Sequence, residues 1–465
     1  MGGLLAARVL AEFFDGITVV ERDVLPGGGK SRRGVPQGRH VHGMQAGGLP
    51  LMEELFPGLR AELAEDGVRE VDDLGRLGFR LGGRLLSQQA QPIAPVLPVT
   101  RPHLEWRVRE RVRHLPGVRV ADGLEVLGLA TTPGGSGSRV TGVRVAPSAT
   151  KDAPERTIEA ELVVDATGRG SRVPLWLHDL GYERPEEERV VVHVGYASQV
   201  VHLPAGSYPR DMVIEGRLPG RTYGFAAFAC ERGRWTVSRM SYGHGAHPPV
   251  EPHERRRIIR ELAPAWLADA LERAEPEGEV ITHTHPASVW RHYERLRRLP
   301  DGLIAFGDAI AAFNPIYGTG MTVATKQAFA LRDALRASQQ QRSTDGLPRR
   351  FYRSGVSPLR EAWQLSTGAD LLFPETQGRR TKVGQLMGRY VAKVLAAAEH
   401  DPEVARRFMR VAGLLDSPPA LFAPTTVTRV VRGARASAAM AVAAPDDASA
   451  SAFAAARSLS STGGR

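Results

Sequence analysis

The chain has almost no cysteine and no long apolar run. Cys230 is the single cysteine among 465 residues, so no disulfide can form within the chain, and this usage fits a reducing compartment. No apolar segment reaches the length of a membrane span, and no cationic segment followed by an apolar one marks a secretory signal. We therefore expect a cytoplasmic protein without stable membrane insertion.

Lysine is also scarce, and the positive charge is dispersed. The 61 basic residues exceed the 51 acidic ones, giving a net charge of +10. The basic residues are nearly all arginines, and they alternate with acids in stretches such as 105–113 and 251–261. No aromatic-rich basic face results, which argues against a nucleic-acid partner. With 42% hydrophobic residues, the chain can form two or three domains around a substantial core.

Residues 303–331 form the most informative stretch. An apolar strand at 303–306 breaks at Asp308, and an apolar-striped helix starts near Gly320 after a turn rich in proline and glycine. A carboxylate at the end of a strand can accept two hydrogen bonds from a sugar diol, and the glycines let backbone N–H groups approach a ring. The helix start adds unpaired N–H groups. The pattern favours a ligand site; an ordinary strand–turn–helix corner is the alternative.

The first residues resemble part of a dinucleotide-binding unit. Residues 3–14 are typical of a helix buried against a sheet, and residues 17–22 of a strand that ends in the acid Glu21. A complete fingerprint has a strand and two more glycines before this helix, so Gly3 takes the third glycine's place. We expect the natural chain to begin upstream of Met1; the alternative is a product that lacks that strand.

The motif that includes Asp308 and residues 313–321 resembles the second FAD motif of the monooxygenases related to para-hydroxybenzoate hydroxylase. The amino-acid sequence of this motif is more similar to the squalene-epoxidase-like branch that includes the bacterial polyether epoxidases. The resemblance implies an α/β fold: a glutathione-reductase-like, FAD-binding βαβ domain, an inserted antiparallel substrate sheet and C-terminal helices. It assigns FAD binding to Gly3, Glu21, Arg22, Arg33, Gln37, Arg101, Val126, Asp165, Gly168, Gly307, Asp308, Pro315, Gly318, Gly320 and Met321.

The segment around Asp165 bears on the source of electrons. An apolar strand ends at Asp165 and turns at Gly168, as in the family. Ala166 and Thr167, however, differ from the residues that the hydroxylases have at these two positions. No second glycine fingerprint is present. Reduction by NAD(P)H is therefore expected either directly or, as we favour, through a separate flavin reductase. His40 and His42 have no neighbouring carboxylate or cysteine, so no metal site is expected.

From Val190 the hydrophobic pattern changes to period two, which predicts the antiparallel sheet that roofs the flavin in this family. The candidate substrate-pocket residues are Tyr223, Phe225, Trp235 and Tyr317, with Phe228 and Met240 as further candidates from the same strands. Aromatic residues on strands often belong to a plain core, so that alternative stays open.

Four regions are expected. They are a discontinuous FAD-binding domain (1–70, 96–188 and 282–340), a substrate domain (71–95 and 189–281), a C-terminal helical region (341–436) and a disordered tail (437–465). An apolar stripe from Leu386 to Leu395 permits a membrane-surface helix, but its cationic side is narrow, so packing on the body is favoured.

The resemblance implies oxygen transfer. Reduced flavin reacts with O₂ to give a C4a-hydroperoxide, which attacks an alkene or aromatic group of a hydrophobic secondary metabolite; the class is thus an epoxidase or hydroxylase. The cofactor supplies this chemistry, so no catalytic acid or base is assigned. The alternatives are a reductase that resembles the geranylgeranyl reductases and a truncated, non-catalytic paralogue. The expected partners are a small hydrophobic substrate and a flavin reductase.

Overall fold

A computed structural model describes residues 1–134, 137–150, 153–243, 247 and 250–443. The described residues form eighteen strands: β1 (Ile17–Val20), β2 (Gly43–Met44), β3 (Val71–Asp73), β4 (Leu77–Leu81), β5 (Arg84–Leu85), β6 (Pro92–Pro98), β7 (Val118–Ala121), β8 (Leu124–Gly134), β9 (Gly137–Pro147), β10 (Arg156–Glu159), β11 (Val163–Asp165), β12 (Glu187–His202), β13 (Met212–Glu215), β14 (Tyr223–Ala229), β15 (Arg234–Tyr242), β16 (Glu275–Arg291), β17 (Leu303–Ala305) and β18 (Ala311–Ala312).

Twelve α-helices accompany these strands in the described part of the chain. They are α1 (Gly2–Leu10), α2 (Leu49–Leu55), α3 (Leu59–Glu65), α4 (Arg101–Arg113), α5 (Val173–Asp179), α6 (Pro252–Leu262), α7 (Ala265–Glu272), α8 (Gly320–Gln341), α9 (Leu347–Asp370), α10 (Lys382–Ala398), α11 (Pro402–Ala412) and α12 (Pro424–Ala443).

Two short parallel sheets carry the motifs that the sequence singled out. β1 pairs in parallel with β7, and β11 pairs in parallel with β17. Helix α1 is buried beside them and packs on α8. The predicted strand at 17–22 thus forms, ending at Val20, whereas the first helix ends at Leu10 rather than at residue 14. Apolar runs at 162–165 and 303–306 are strands because both faces are covered.

An eight-stranded mixed sheet lies over these parallel strands. Its order is β18-β16-β12-β15-β14-β13-β4-β5, antiparallel except where β13 pairs in parallel with β4. The period-two pattern from Val190 correctly predicts its central strands. Helices α6 and α7 cover its far face through Ile258, Leu262 and Leu267.

Helices α8 and α9 pack together, and α10, α11 and α12 form a further layer. Helix α12 continues to Ala443, beyond residue 437, where the predicted tail begins. The rest of that tail lies outside the described residues. β16 runs through the expected domain boundary at 281/282, and the domain limits remain predictions. Among the described helices, none combines the length and apolarity that crossing a bilayer requires.

Candidate functional site

A cavity of about 2420 Å³ lies between the parallel strands, the eight-stranded sheet and the C-terminal helices. This volume exceeds the roughly 300–1,000 Å³ of an ordinary ligand pocket. One side of the cavity is built from strand ends and glycine turns, and the other side from apolar side chains of the sheet and of α10. The cavity therefore offers room for a large cofactor and an apolar molecule together.

Asp308 stands at the end of β17 and faces this cavity. Gly307 before it has φ +63°, a conformation that favours glycine. The Asp308 carboxylate is exposed to the cavity and has no hydrogen bond or ion pair within the described part of the chain. Desolvation inside the cavity raises the pKa of Asp308, while Arg101, the N-terminal ammonium and Arg169 act in the opposite direction. The two carboxylate oxygens of Asp308 are therefore available to accept hydrogen bonds from a ligand.

The turn after Asp308 brings backbone close to the same space. The Asn314 side chain accepts a hydrogen bond from Ile316 N at 3.3 Å, and Gly318 has φ +64°. A Cβ at Gly320 would lie 3.7 Å from Asp308 Oδ1, so the first turn of α8 begins directly beside the carboxylate. Gln45, which the sequence did not single out, donates to the Tyr317 carbonyl at 2.5 Å and secures the turn from the opposite side.

Arg32 is the centre of an ion-pair network after β1. Its guanidinium contacts Glu21 at 2.9 Å, Asp23 at 3.1 Å and Glu105 at 3.0 Å. Arg101 also donates to Glu105, at 3.1 Å. Burial opposes ionisation of Glu105, but the neighbouring cations hold its pKa well below the ordinary range. Three acids from two elements thus converge on one arginine.

The prediction of Arg33 at the cavity is wrong by one residue. Arg33 is exposed and does not line the cavity, whereas Arg32 does. The physical reason is the converging carboxylates of Glu21, Asp23 and Glu105, which draw in the side chain of residue 32 and leave its neighbour pointing to solvent. Nothing in the sequence pattern distinguishes the two arginines.

The Asp165 carboxylate stabilises the turn that follows it in the chain. Its carboxylate accepts hydrogen bonds from Thr167 N at 3.0 Å, Thr167 Oγ1 at 2.5 Å and Ser171 Oγ at 2.5 Å. Gly168, with φ +78°, completes the turn next to Asp308. The carboxylate therefore stabilises one part of the cavity wall. The turn at 166–168, which these hydrogen bonds hold in place, lines the cavity.

The cavity brings together nearly all the residues assigned to FAD. Those that line it are Gly3, Glu21, Arg22, Gln37, Arg101, Val126, Asp165, Gly168, Gly307, Asp308, Pro315, Gly318, Gly320 and Met321. They come from segments spread between residues 3 and 321, so their convergence is a property of the fold.

The predicted pocket residues divide between two faces of the sheet. Tyr317 lines the cavity, but Tyr223, Phe225 and Trp235 do not. Phe225 and Trp235 are buried on the far face of the sheet against α6 and α7, and Tyr223 packs against the same cluster. This corrects three of the pocket assignments. Since successive strand residues alternate in direction, Phe228 and Met240, at even positions, line the cavity instead.

Asp370, at the end of α9, is a buried acid on the cavity wall that the sequence analysis missed. Asn314 Nδ2 donates to its two oxygens at 3.0 and 3.2 Å, and the Tyr317 hydroxyl donates to Oδ1 at 2.9 Å. Burial raises the pKa of Asp370 to about 6, against the lowering effect of these hydrogen bonds. The residue can therefore hold or release a proton near neutral pH. The only sequence signal is a lone acid in a helix.

Histidines form a second group at the sheet face. His40 Nδ1 lies 2.7 Å from Ser198 Oγ, and its ring is 5.2 Å from that of Tyr196. Arg169 Nη1 donates to His285 Nδ1 at 3.2 Å. Burial lowers the pKa of His40 to about 3 and that of His285 to about 3. These rings are neutral near pH 7. Within the described ranges no three His, Cys, Asp or Glu side chains form a metal-binding group.

The cavity's polar side fits FAD. The unpartnered Asp308 carboxylate suits a polyhydroxylated chain, and the buried, unpaired Arg101 Nε is a donor that suits a phosphate. The glycine turns at 168, 307 and 318 permit close backbone approach, and the unpaired N–H groups at the start of α8 favour a negative ring edge.

Solved structures of several flavoproteins share the fold. PqsL of Pseudomonas aeruginosa, a probable FAD-dependent monooxygenase, is 17% identical with a TM-score of 0.54, covering 90% of this chain and 97% of its own. The p-nitrophenol 4-monooxygenase PnpA of Pseudomonas putida DLL-E4 is 16% identical with a TM-score of 0.61, covering 90% and 96%. A flavoprotein/dehydrogenase of Cytophaga hutchinsonii is 14% identical with a TM-score of 0.61, covering 93% and 96%.

The molecule therefore has the fold of the FAD-dependent monooxygenases, and the predicted fold class is confirmed. No protein-family model matches the chain. At the level of sequence, Protein Rv3254 of Mycobacterium tuberculosis is 36% identical over 429 residues, which cover 90% of this chain and 88% of that protein. The chain belongs to the family of Protein Rv3254.

Proposed function

We propose that this protein is a FAD-dependent monooxygenase that transfers oxygen to an alkene or aromatic group of a large hydrophobic molecule. The observation that carries the proposal is a large cavity in which a cofactor-type wall faces an apolar wall. The fold shared with flavin-dependent enzymes supports the same class. Epoxidation and hydroxylation both fit this arrangement.

The cofactor wall would hold FAD through Asp308, Arg101 and the turn at 314–319. When bound, FAD supplies the oxygen activation, and the chain's own residues supply position, charge and dryness. The unpaired N–H groups at the start of α8 favour negative charge at the ring edge next to Gly320. Tyr317, held by Asp370 and by Gln45, borders the space where the two walls meet.

The apolar wall sets the substrate class. Strands β4, β13, β14 and β15 contribute one side, and α10 and α11 contribute the other. The side chains that face the cavity there are mainly aliphatic, aromatic or thioether: Phe79, Leu81, Met212, Ile214, Phe228, Met240, Met387, Val391, Leu395, Phe408 and Met409. Methionines adapt to irregular apolar ligands. A bulky, weakly polar substrate matches this lining better than a small charged acid does.

The decisive experiment reconstitutes the purified chain with FAD and follows oxygen uptake and product mass with a panel of hydrophobic alkenes and arenes. A generic flavin reductase and NADH supply electrons. We expect bound flavin and products heavier by one oxygen atom, labelled when ¹⁸O₂ is used. Product without O₂, or products heavier by two hydrogens, would assign the protein to the reductases instead. Failure to retain flavin would favour a non-catalytic paralogue.

A further inference from the structure

The segment at 376–398 is a cationic stretch of the C-terminal layer. It contains Arg379, Arg380, Lys382, Arg389 and Lys393 but no aspartate or glutamate. The acids that flank it are already engaged, since Glu375 pairs with Arg217 and Glu399 pairs with Arg84. The segment therefore carries a positive charge that its neighbours do not neutralise.

Four of these cations have no acidic partner in the described part of the chain. Arg380 is used internally, because it donates to the carbonyls of residues 371, 373, 374 and 376. Arg379, Lys382, Arg389 and Lys393 take part in no ion pair there, and all are exposed. By contrast, Arg32 and Arg76 are each paired with acids. Lys382, Arg389 and Lys393 lie on α10 itself, and their unneutralised charge suits a partner of opposite charge.

The first half of α10 also exposes apolar side chains. Val383 is 72% exposed, Leu386 67% and Met387 40%, and Leu372 of the preceding connection is 50% exposed. In the second half, Val394, Ala397 and Ala398 are buried, so that half packs on the body as the sequence predicted. The first half does not. Lys382, Leu386, Arg389 and Lys393 are spaced as one exposed helical face.

The apolar exposed residues lie at the mouth of the cavity. Leu372, Val383 and Met387 each line both the cavity and the exterior, with Phe422 beside them. A hydrophobic molecule that leaves a lipid phase at this point would meet the apolar wall without crossing water. The position of the cationic helix thus coincides with the entrance that an apolar substrate needs.

We propose that the first half of α10 and the connection before it dock on an anionic membrane surface and take an apolar substrate from it. The cations would lie at the headgroups, and Val383, Leu386 and Met387 would enter the interfacial layer. The substrate route rests on the proposed function, whereas vesicle binding does not. The two proposals can therefore fail separately.

The test is co-sedimentation of the full chain with vesicles of phosphatidylcholine alone or with about one third phosphatidylserine, at low and high salt. We expect binding only to the anionic vesicles, weakening with salt. The double variant Lys382→Gln/Lys393→Gln should bind on the order of tenfold more weakly. The variant Val383→Gln/Leu386→Gln should also lose binding.

The matched control is Arg256→Gln/Arg273→Gln. It removes the same charge from an exposed cation of α6 and an exposed cation directly after α7, on the far side of the sheet, neither of which forms an ion pair in the described part of the chain. We expect it to bind like the wild type. Equal weakening by both charge variants would reduce the effect to net charge and overturn the proposal. So would absent or equal binding to both vesicles, or self-association through α10 without vesicle binding.

Discussion

The Tyr317 hydroxyl donates a 2.9 Å hydrogen bond to the carboxylate of Asp370. Through this contact the last residue of α9 fixes the turn that precedes α8. Asn314, in the same turn, holds both oxygens of that carboxylate. The connection that follows Asp370 leads to α10. This buried acid therefore contacts the turn of the cofactor wall and also begins the segment that leads to the cavity entrance.

Replacing Asp370 with Asn should flatten the pH dependence of stability. The pKa of Asp370 is about 6 in the folded chain and about 3.9 in the unfolded chain, so its stabilising effect is full below pH 3.9 and is lost as pH rises through 6. The loss amounts to about 3 kcal/mol, because one pKa unit is roughly 1.4 kcal/mol. Urea unfolding between pH 4.5 and 7.5 measures the difference between wild type and variant.

Tyr317→Phe is the companion variant for Asp370. It removes a hydrogen bond that favours the ionised carboxylate, so it should raise the pKa of Asp370 further and shift the transition to higher pH. Parallel stability profiles for the wild type and the Asn variant would contradict the role given to this acid.

Asp308→Ala should weaken FAD binding. Hydrogen bonds to a charged acceptor contribute roughly 1.5–3 kcal/mol each, so affinity should fall by an order of magnitude or more. Flavin fluorescence titration measures the change. Asp333→Ala, on the exposed side of α8, is the control and should bind FAD normally. Equal FAD affinity of wild type and Asp308→Ala would show that the motif is misassigned.

Half-buried His42 and buried His285 should make the chain sensitive to acid. The pKa of His42 is about 4 and that of His285 about 3 in the folded chain, both lowered mainly by burial. Their stabilising effect is present above the unfolded pKa of about 6.5 and is lost as pH falls toward the folded values. Each contributes a slope of about 1.4 kcal/mol per pH unit in this window.

A double variant, His42→Gln/His285→Gln, should therefore lose less stability between pH 6.5 and 4.5 than the wild type does. Chemical unfolding at fixed pH values gives the slopes. His253→Gln, on the exposed surface of α6, should leave the slope unchanged. An unchanged slope in the double variant would mean that other groups govern acid unfolding.

The electron source should be a separate flavin reductase. The sequence has no second glycine-rich dinucleotide fingerprint, and the motif around Asp165 differs from that of the hydroxylases. Mixed anaerobically with NADPH alone, the reconstituted protein should bleach slowly and without saturation. A generic flavin reductase should restore rapid reduction. Fast, saturable bleaching by NADPH, accelerated by substrate, would instead show direct reduction.

Short-range patterns in the sequence determined much of the cofactor side. The strand, turn and helix at 303–331 are encoded by neighbouring residues, because an apolar run, a glycine turn and a helical stripe each act locally. The same holds for the strand that ends at Glu21 and for the period-two strands from Val190. Asp308, Gly318 and Gly320 could be chosen from these patterns alone.

Tertiary structure decided the rest, because it depends on contacts between distant residues. Alternation of hydrophobic residues with period two assigns strand residues to two faces, but it does not show which face lines the cavity. The prediction that Phe225 and Trp235 line the cavity is therefore wrong. Asp370 lies 53 residues from Tyr317, and Gln45 lies 272 residues from it, and only chain packing joins them. Arg32 rather than Arg33 faces the cavity because Glu105, 73 residues away, draws it inward.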